Sequence, residues 1–211
     1  GSVNTVLIED KLAARISGTH AKGDGWLKDP VNNTDHQNTD RQTIRAQFLY
    51  TPNADIDVNL SFDYSNISER CCSVVRIADG PFTNPVPFTP FDLSTLAALN
   101  GSAIITPPDP GALLTSIDDP NANNSDDWGV SAEINWQIGD MKLTSITAYR
   151  DYKDTYTFDG DFGGADLLTI DERLGIKFFS EELRLSGQND DGFLGHGFDW
   201  TAGLFYSHEE I

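Results

Sequence analysis

The sequence is poor in several features by which protein classes are identified. Basic residues are scarce, since 14 Lys and Arg stand against 33 Asp and Glu in 211 residues, for a net charge of −19. Such a chain repels phosphate backbones and anionic bilayer surfaces, so we expect no nucleic-acid partner. No segment approaches the ~18 to 20 consecutive apolar residues of a membrane-spanning helix. A membrane is not excluded, because the strands of a β-barrel alternate in polarity and barely register in hydropathy.

Cysteine is nearly absent, and the two residues present, Cys71 and Cys72, are adjacent. Two neighbours close almost no loop, so they cannot staple a fold. In an oxidising compartment they either form a vicinal disulfide or pair with a cysteine outside this sequence. A zinc site would need further Cys or His ligands at suitable spacing, and the sequence has none.

Catalytic motifs are also missing from the sequence. It contains no HExxH spacing and no Gly-x-Ser-x-Gly elbow. The four histidines are scattered through expected loops and strand ends: His20, His36, His196 and His208. We therefore expect a protein that is not an enzyme.

What the sequence does contain is alternation of apolar and polar residues, seen most clearly at Ile56–Ser65, IDVNLSFDYS. Apolar residues occupy every even position and polar residues every odd one. Successive side chains of a strand leave opposite faces of the sheet, whereas a helix would scatter them around its circumference. The segment is therefore predicted to be a strand with one face in an apolar medium and the other in water.

Similar patterns predict seven strands in all, arranged as an all-β antiparallel up-and-down meander. The other six are Lys11–Thr19, Thr43–Tyr50, Trp128–Ile138, Lys142–Tyr152, Phe178–Ser186 and Phe198–His208. On the Lys142–Tyr152 strand the apolar face is less clear, and we favour the one that carries Leu143 and Tyr149.

The connections between these strands alternate between long and short. In a meander, the long polar loops (20–40, 66–125 and 154–175) share one end of the sheet, and the short turns (52–55, 139–140 and 188–197) share the other. Trp128 and Trp136 also lie eight residues apart on one face, as do Phe198 and Tyr206. Aromatic girdles, short periplasmic turns and long extracellular loops are typical of transmembrane β-barrels in an outer membrane.

Acidic residues among glycines and asparagines make the loops candidate calcium sites, because Ca²⁺ takes hard oxygen ligands. Asp159, Asp161 and Asp166 lie in DGDFGGAD. A second set flanks PNANNS: Asp118, Asp119, Asp126 and Asp127. Neither set has the EF-hand register, so a solvated acidic loop without metal is the alternative, and we expect no other cofactor.

Candidate ligand contacts fall in the longest loop and on the polar face. Arg70 and Arg76 bracket the cysteine pair and would attract an anionic ligand such as a ferric chelate. Asp57 and Asp63 lie on the polar face of Ile56–Ser65, where they would meet a passing ligand or whatever fills the lumen.

Five segments, taken in order, resemble the barrel domain of TonB-dependent outer-membrane receptors. They are VNTVLIEDKLAARISG, RAQFLYTPNADIDVNLSFDYS, LTSITAYRDY, FFSEELRLSG and FDWTAGLFYSHEE. The resemblance implies that residues 1–211 are an internal part of a transmembrane barrel of about 22 strands, with the plug domain and the C-terminal strands absent.

The resemblance also implies a function: active transport of a scarce nutrient across the outer membrane of a Gram-negative bacterium. The substrate could be a siderophore-bound iron, a cobalamin, a glycan or a similar small molecule. Partners would be membrane lipid and lipopolysaccharide, and the TonB complex acting through the plug. The alternative is a secreted soluble β protein that binds glycan or calcium through its acidic loops and buries Trp128, Trp136 and Trp200 in its own core.

Overall fold

The computed structural model describes residues 1–77, 98–99, 109–119, 121–164, 166–193 and 196–211. These residues are almost entirely extended. The strands are β1 (Ser2–Ile8), β2 (Leu12–Gly23), β3 (Leu27–Asp29), β4 (Thr34–His36), β5 (Thr39–Asn53), β6 (Ile56–Glu69), β7 (Ala122–Ile138), β8 (Met141–Asp159), β9 (Thr169–Phe193) and β10 (His196–Glu210). A short 3₁₀ turn spans Pro110–Ala112. No helix in the described part of the chain is long and apolar enough to cross a bilayer.

Eight of the strands form one antiparallel meander in the order β1-β2-β5-β6-β7-β8-β9-β10, while β3 and β4 form a separate small hairpin. The predicted fold class is confirmed, but the count of seven strands was one too low. The missed strand is Ser2–Ile8, which pairs with β2. Its register shifts between Val6 and Ile8, where three apolar residues follow one another. This irregularity removes the period of two on which the prediction relied.

The strands continue well beyond the limits of strict alternation. Residues 66–69 still pair with 123–126, so the connection predicted as 66–125 runs only from 70 to 121. The other long connections shorten in the same way, to 24–38 and 160–168, and the turn predicted as 188–197 shortens to 194–195. Past the apolar part of the sheet polar residues predominate on both faces, so the strict alternation disappears although the backbone ladder continues. The segregation itself is confirmed, with all three long connections at one end.

One face of the sheet is apolar and uncovered. Leu60 on β6 lies between Phe48 on β5 and Ala132 on β7, and the same alignment carries the apolar set of each strand across the sheet. Trp136 on this face is 46% exposed and Leu204 is 77% exposed. Among the described apolar residues of the eight strands only Ala14 is buried. The sheet is thus a single layer without a core of its own.

The opposite face is polar along the same strands. A row across four strands aligns Arg15, Gln47, Ser61 and Ser131. The register also pairs Leu143 with Trp136, so the face favoured for β8 is the apolar one, as predicted. Glu181 on β9 is a charged residue in the middle of the apolar face, and its carboxylate accepts hydrogen bonds from the hydroxyls of Ser145, at 2.9 Å, and Thr147.

The pairing of the irregular strand β1 can be tested by cross-linking. Gly1 and Gly18 exchange two backbone hydrogen bonds, of 2.6 and 2.9 Å, so Asn4 and Arg15 form a pair without hydrogen bonds, where Cα atoms lie about 4.5 Å apart. This separation suits a disulfide. We expect Asn4→Cys with Arg15→Cys to oxidise to a disulfide in the full-length protein, as read by mass spectrometry without reductant.

The matched control is Asn4→Cys with Ala14→Cys. Ala14 is adjacent to Arg15 but its side chain leaves the other face, so this pair should stay reduced. Equal cross-linking of both pairs would contradict the register.

Candidate functional site

The buried part of the molecule lies at the end of the sheet that carries the long connections. We call the described residues of 24–38, 70–121 and 160–168 the loop assembly. The largest fully buried side chains in the described chain belong to this assembly or to the strand ends that enter it: Leu27, Asp29, Asn121 and Asp159. Ordered loops above a coreless sheet are the natural place for binding residues, since loops held by a rigid scaffold carry function more often than the scaffold does.

Backbone pairing ties two of these connections together. The Lys28 amide donates to the Leu113 carbonyl at 2.9 Å, and the Thr115 amide donates to the Lys28 carbonyl at 2.8 Å. Residues 113–115, near the far end of the longest connection, therefore pair with β3 as a third segment beside the β3–β4 hairpin. The sequence pattern predicted a loop for this hairpin. Ile117 is carried into the interior by this pairing and is buried.

Asp29 anchors the same junction. It is only 1% exposed, and its carboxylate accepts hydrogen bonds from the backbone amides of Val31, Asn32 and Ile117 and from the Asn32 side chain, at 2.9 to 3.2 Å. The Asn32 amide also donates to the Ile117 carbonyl. Sequence analysis missed this role, although an Asp followed by Pro and two further turn residues is a signal for an Asx turn.

A second anchor joins the ends of β5 and β6. The buried carboxylate of Glu69 accepts two hydrogen bonds from the Arg41 guanidinium, at 2.5 and 2.8 Å, and one from the Asp40 amide. The hydrogen bond from Arg41 is the main reason that the pKa of Glu69 lies below its usual value. The carboxylate therefore stays ionised and holds the start of the longest connection in place.

The cysteine pair follows directly. Cys71 and Cys72 are joined to each other by a disulfide, with Cys72 at a positive φ of 72°. Arg70 is exposed, and its backbone is held by Asn38 and Gln37 from the 24–38 connection. Arg76 is partly buried on the same segment. The proposed role of the two arginines in binding an anion stays a prediction.

The acidic residues of two separate connections meet in one cluster. Carboxylate oxygens of Asp118, Asp159 and Asp161 lie within 4.8 Å of one another, and those of Asp118, Asp119 and Asp166 do the same. Sequence analysis had treated the 118–127 and 159–166 sets as two sites. The structure brings Asp118 and Asp119 to Asp159, Asp161 and Asp166, because the segment that ends at Asp119 packs over the end of β8.

The other two acids of that set belong elsewhere. Asp126 and Asp127 lie on β7 inside the paired sheet. Asp126 accepts hydrogen bonds from the Tyr64 hydroxyl and the Asn66 amide, both at 2.9 Å. Asp127 accepts from Arg150 at 2.6 Å. Their assignment to an acidic loop was wrong, because strand pairing extends through them, while their calcium role stays a prediction.

The cluster is electrostatically unusual. Asp159 is completely buried, and one of its oxygens, Oδ1, accepts from the amides of Asp161 and Phe162 at 3.0 and 2.9 Å. Burial, followed by the charges of Asp161 and Asp118, raises the pKa of Asp159 to about 7. Burial also raises the pKa of Asp161 and of Asp118 above their usual values. No ion pair between described residues involves these aspartates.

On the polar face of the sheet the two predicted aspartates are part of hydrogen-bond networks. Arg150 on β8 donates to Asp63 at 2.9 Å, reaching across β7, and the same guanidinium donates to Asp127 on β7. It can do so because Gly129 lies beneath it, and a Cβ there would come within 3.0 Å of Arg150 Nη2. Sequence analysis missed Arg150, whose position became visible only from the register. Asp57 accepts from the buried amide of Asn135 at 3.0 Å.

The same face carries two cations that form no ion pair within the described chain. Arg15 and Arg45 are both exposed and line an open cavity of about 610 Å³, together with Gln47, Asn59 and Glu133. Neither arginine forms an ion pair with another described residue. In a chain of net charge −19, two unpaired guanidiniums on one wall are suited to an anionic group from outside the chain.

Comparison with solved structures identifies the fold. The ferric yersiniabactin uptake receptor FyuA of Yersinia pestis matches 99% of this chain with a TM-score of 0.64 at 12% sequence identity. The ferric-catecholate import receptor Fiu of E. coli K12 matches 99% with a TM-score of 0.59 at 14% identity. No protein-family model and no curated protein sequence matches the chain.

These matches cover 28% and 29% of the two receptors, so the chain spans less than a third of their length. At such identities the likeness concerns the fold. The chain has the fold of a segment of a TonB-dependent receptor barrel, as the resemblance in sequence had implied.

Removal of the Asp29 anchor should loosen the loop assembly without affecting the sheet. Asp29→Ala leaves three backbone amides, of which that of Ile117 is buried, and the Asn32 side chain without their acceptor. We expect a local cost of about 2 kcal/mol, which corresponds to a roughly 30-fold faster limited proteolysis within 24–38. The control Asp35→Ala removes an exposed carboxylate that pairs only with Lys28 and should change the rate less than about twofold. Equal rates for the two variants would contradict the role of Asp29.

Proposed function

We propose that this chain forms part of the barrel wall of an outer-membrane receptor that takes up an anionic metal chelate, such as a ferric siderophore, in a TonB-dependent manner. The observation that carries the proposal is the single-layered sheet, apolar on one face and polar on the other, which matches the barrels of two ferric-chelate receptors over 99% of its length. Transport receptors of this kind bind and admit a ligand without converting it, so we propose no catalytic role.

A lipid environment accounts for the apolar face. Trp136, Phe62 and Leu204 are all exposed on it, and a soluble sandwich would have to cover them with a second layer. Trp128 and Trp136 are eight residues apart on β7, which on a tilted strand separates them by roughly 20 Å along the membrane normal, close to the distance between aromatic girdles. We propose that membrane lipid contacts this face and that lipopolysaccharide surrounds the end with the long connections.

The two edges of the sheet support the same assignment. β1 and β10 have one neighbour each within the described sheet, and eight strands are too few for the barrel of about 22 strands in such transporters. Unpaired edges are costly in a bilayer, where no water satisfies the backbone. We propose that further strands of the full-length protein pair with both edges, and that the plug, which connects to TonB, occupies the lumen that the polar face lines.

The soluble alternative lacks an observation in its favour. It requires Trp136 to be buried in a protein core, and 46% of this residue is exposed. Calcium binding by the acidic loops, which the soluble alternative includes, is compatible with a soluble protein and with a membrane barrel alike, because the acidic cluster lies in the connections and not in the sheet.

The anionic substrate is inferred from the cations. Arg15 and Arg45 face the proposed lumen without ion-pair partners in the described chain, and Arg70 is exposed in the loop assembly above them. A ferric chelate with net negative charge would pass from the outer arginine to the inner pair. Asp57 and Asp63 then serve to hold Asn135 and Arg150 in the wall.

The contact of the apolar face with lipid can be tested by placing the same charge on either face. Leu60→Arg puts a guanidinium on the apolar face near mid-strand, whereas Asn59→Arg puts it on the polar face one residue away. We expect Leu60→Arg to destabilise the protein folded in lipid vesicles by about 2 to 4 kcal/mol and Asn59→Arg to destabilise it by less than about 1 kcal/mol. Denaturant titration of the full-length protein in vesicles measures both, and equal costs would contradict the membrane assignment.

Uptake tests the substrate. In a strain that lacks the chromosomal gene, the full-length protein should restore radioactive ferric-siderophore uptake, and loss of TonB should abolish it. Arg15→Gln with Arg45→Gln should weaken siderophore binding by at least about tenfold, because each lost charge-assisted hydrogen bond costs roughly 1.5 kcal/mol or more.

The matched control for this charge removal is Lys22→Gln, which lies at the end of β2 and pairs with Asp40 outside the cavity. It should leave binding unchanged. Siderophore uptake that is independent of TonB, or that is insensitive to both arginines, would contradict the proposal.

A further inference from the structure

The acidic cluster contains two oxygens that the protein itself leaves without a partner. Asp159 accepts both of its backbone hydrogen bonds through Oδ1, while Oδ2 is buried and accepts none from the protein. Asp161 accepts from the amides of Leu167 and Leu168 through Oδ2, and its Oδ1 is likewise buried without a donor. A buried carboxylate oxygen without a hydrogen bond or counter-ion costs several kcal/mol, so this pair requires an explanation from outside the chain.

Both carboxylates are fixed in position by the rest of the fold. Asp159 is 0% exposed at the end of β8, and its amide donates to the side chain of Asn121 at 2.8 Å. Asn121 is itself fully buried and donates to Ser73 at 2.6 Å. The carboxylates of Asp159 and Asp161 are each held by hydrogen bonds to backbone amides, and the fold brings both close to Asp118.

The third member comes from a different connection. Asp118 is exposed, and one of its oxygens lies within 4.8 Å of oxygens from Asp159 and Asp161. Asp119, next to it, is already engaged by the Thr169 hydroxyl. Three carboxylates at this separation repel one another, and the described ion pairs bring no Lys, Arg or His to them.

We propose that Asp118, Asp159 and Asp161 bind a calcium ion that clamps the end of the longest connection to the β8–β9 connection. An all-oxygen donor set of carboxylates in an irregular loop suits Ca²⁺, which tolerates flexible geometry with 6 to 8 oxygen ligands, better than Mg²⁺, which demands an octahedron and retains its water. The ion supplies the partner for Asp159 Oδ2 and Asp161 Oδ1. It also makes the position of 113–119, which pairs with β3, depend on the concentration of calcium outside the cell.

Calcium binding is tested on the full-length protein in detergent after removal of divalent ions. Calorimetric titration with CaCl₂ alone should show one site per chain with a Kd of roughly 10⁻⁴ to 10⁻³ M, the range of extracellular calcium modules. Equimolar MgCl₂ should not displace it. Absence of saturable binding below about 10 mM, including the outcome that the cluster is held by a shared proton instead, would overturn the proposal.

Variants separate a ligand from a merely structural residue. Asp118→Asn is exposed and should fold normally, and Asp161→Asn retains a similar shape; each should weaken calcium binding by at least about tenfold. Asp109→Asn removes the same charge from an exposed position on the same segment, away from the cluster, and should bind like the parent protein. Equal affinity of Asp118→Asn and Asp109→Asn would overturn the assignment of Asp118.

The effect of Asp159→Asn on resistance to proteolysis should depend on whether calcium is present. In chelator it removes an uncompensated buried charge, so the loop assembly should resist limited proteolysis at least as well as in the parent protein. In 5 mM calcium the parent protein should gain protection and the variant should not. A variant that is equally impaired in chelator and in calcium would indicate a structural role only and would overturn the proposal.

Discussion

The structure depends on lateral hydrogen bonding between strands, because the sheet has no second layer on which to rest. Each of its six inner strands pairs with two neighbours, and β9 alone runs for 25 residues. With the backbone satisfied sideways, the two faces are left to meet different media. The alternation at Ile56–Ser65 is the direct result, since one set of side chains meets an apolar medium and the other meets water. A barrel wall is the arrangement in which such a layer is stable, because closure removes the edges.

Because the sheet has no core, buried side chains are concentrated at the end of the sheet that carries the long connections. Leu27 and Ile117 are buried where a hairpin and the end of a long connection pair above the sheet, and the carboxylates of Asp29 and Glu69 hold that arrangement through charge-assisted hydrogen bonds. The small amount of apolar burial there means that buried polar groups carry much of the order. A loop region built in this way is stable when every polar group is satisfied and loosens when one partner is lost.

The sequence was sufficient to predict the meander and the polarity of its faces, since both follow from a period of two. It was insufficient wherever that period failed. Ser2–Ile8 was missed because three apolar residues follow one another at a bulge, and residues 66–69 were assigned to a loop because polar residues predominate on both faces of the sheet at that level. The site required information that no local pattern contains. Asp118 meets Asp159 through pairing between connections far apart in the chain, and Arg150 reaches Asp63 across an intervening strand. Both contacts depend on register and long-range topology.

The acidic side chains differ in whether the described chain supplies their hydrogen-bond or ion-pair partners. Asp29 accepts hydrogen bonds from backbone amides, and Glu69 is paired with Arg41. Asp63 and Asp127 share Arg150. These four buried or half-buried acids therefore have their partners within the described chain. Asp159 differs, because it is the most deeply buried acid of its cluster and still has an oxygen without a donor. Hydrogen-bond donors are present near the cluster, since the Thr169 hydroxyl binds Asp119 and backbone amides bind Oδ1 of Asp159. The lack of a donor at Oδ2 is therefore not explained by a local shortage of donors. These unsatisfied oxygens belong to carboxylates that approach one another within 4.8 Å, and the proposed cation site rests on that combination.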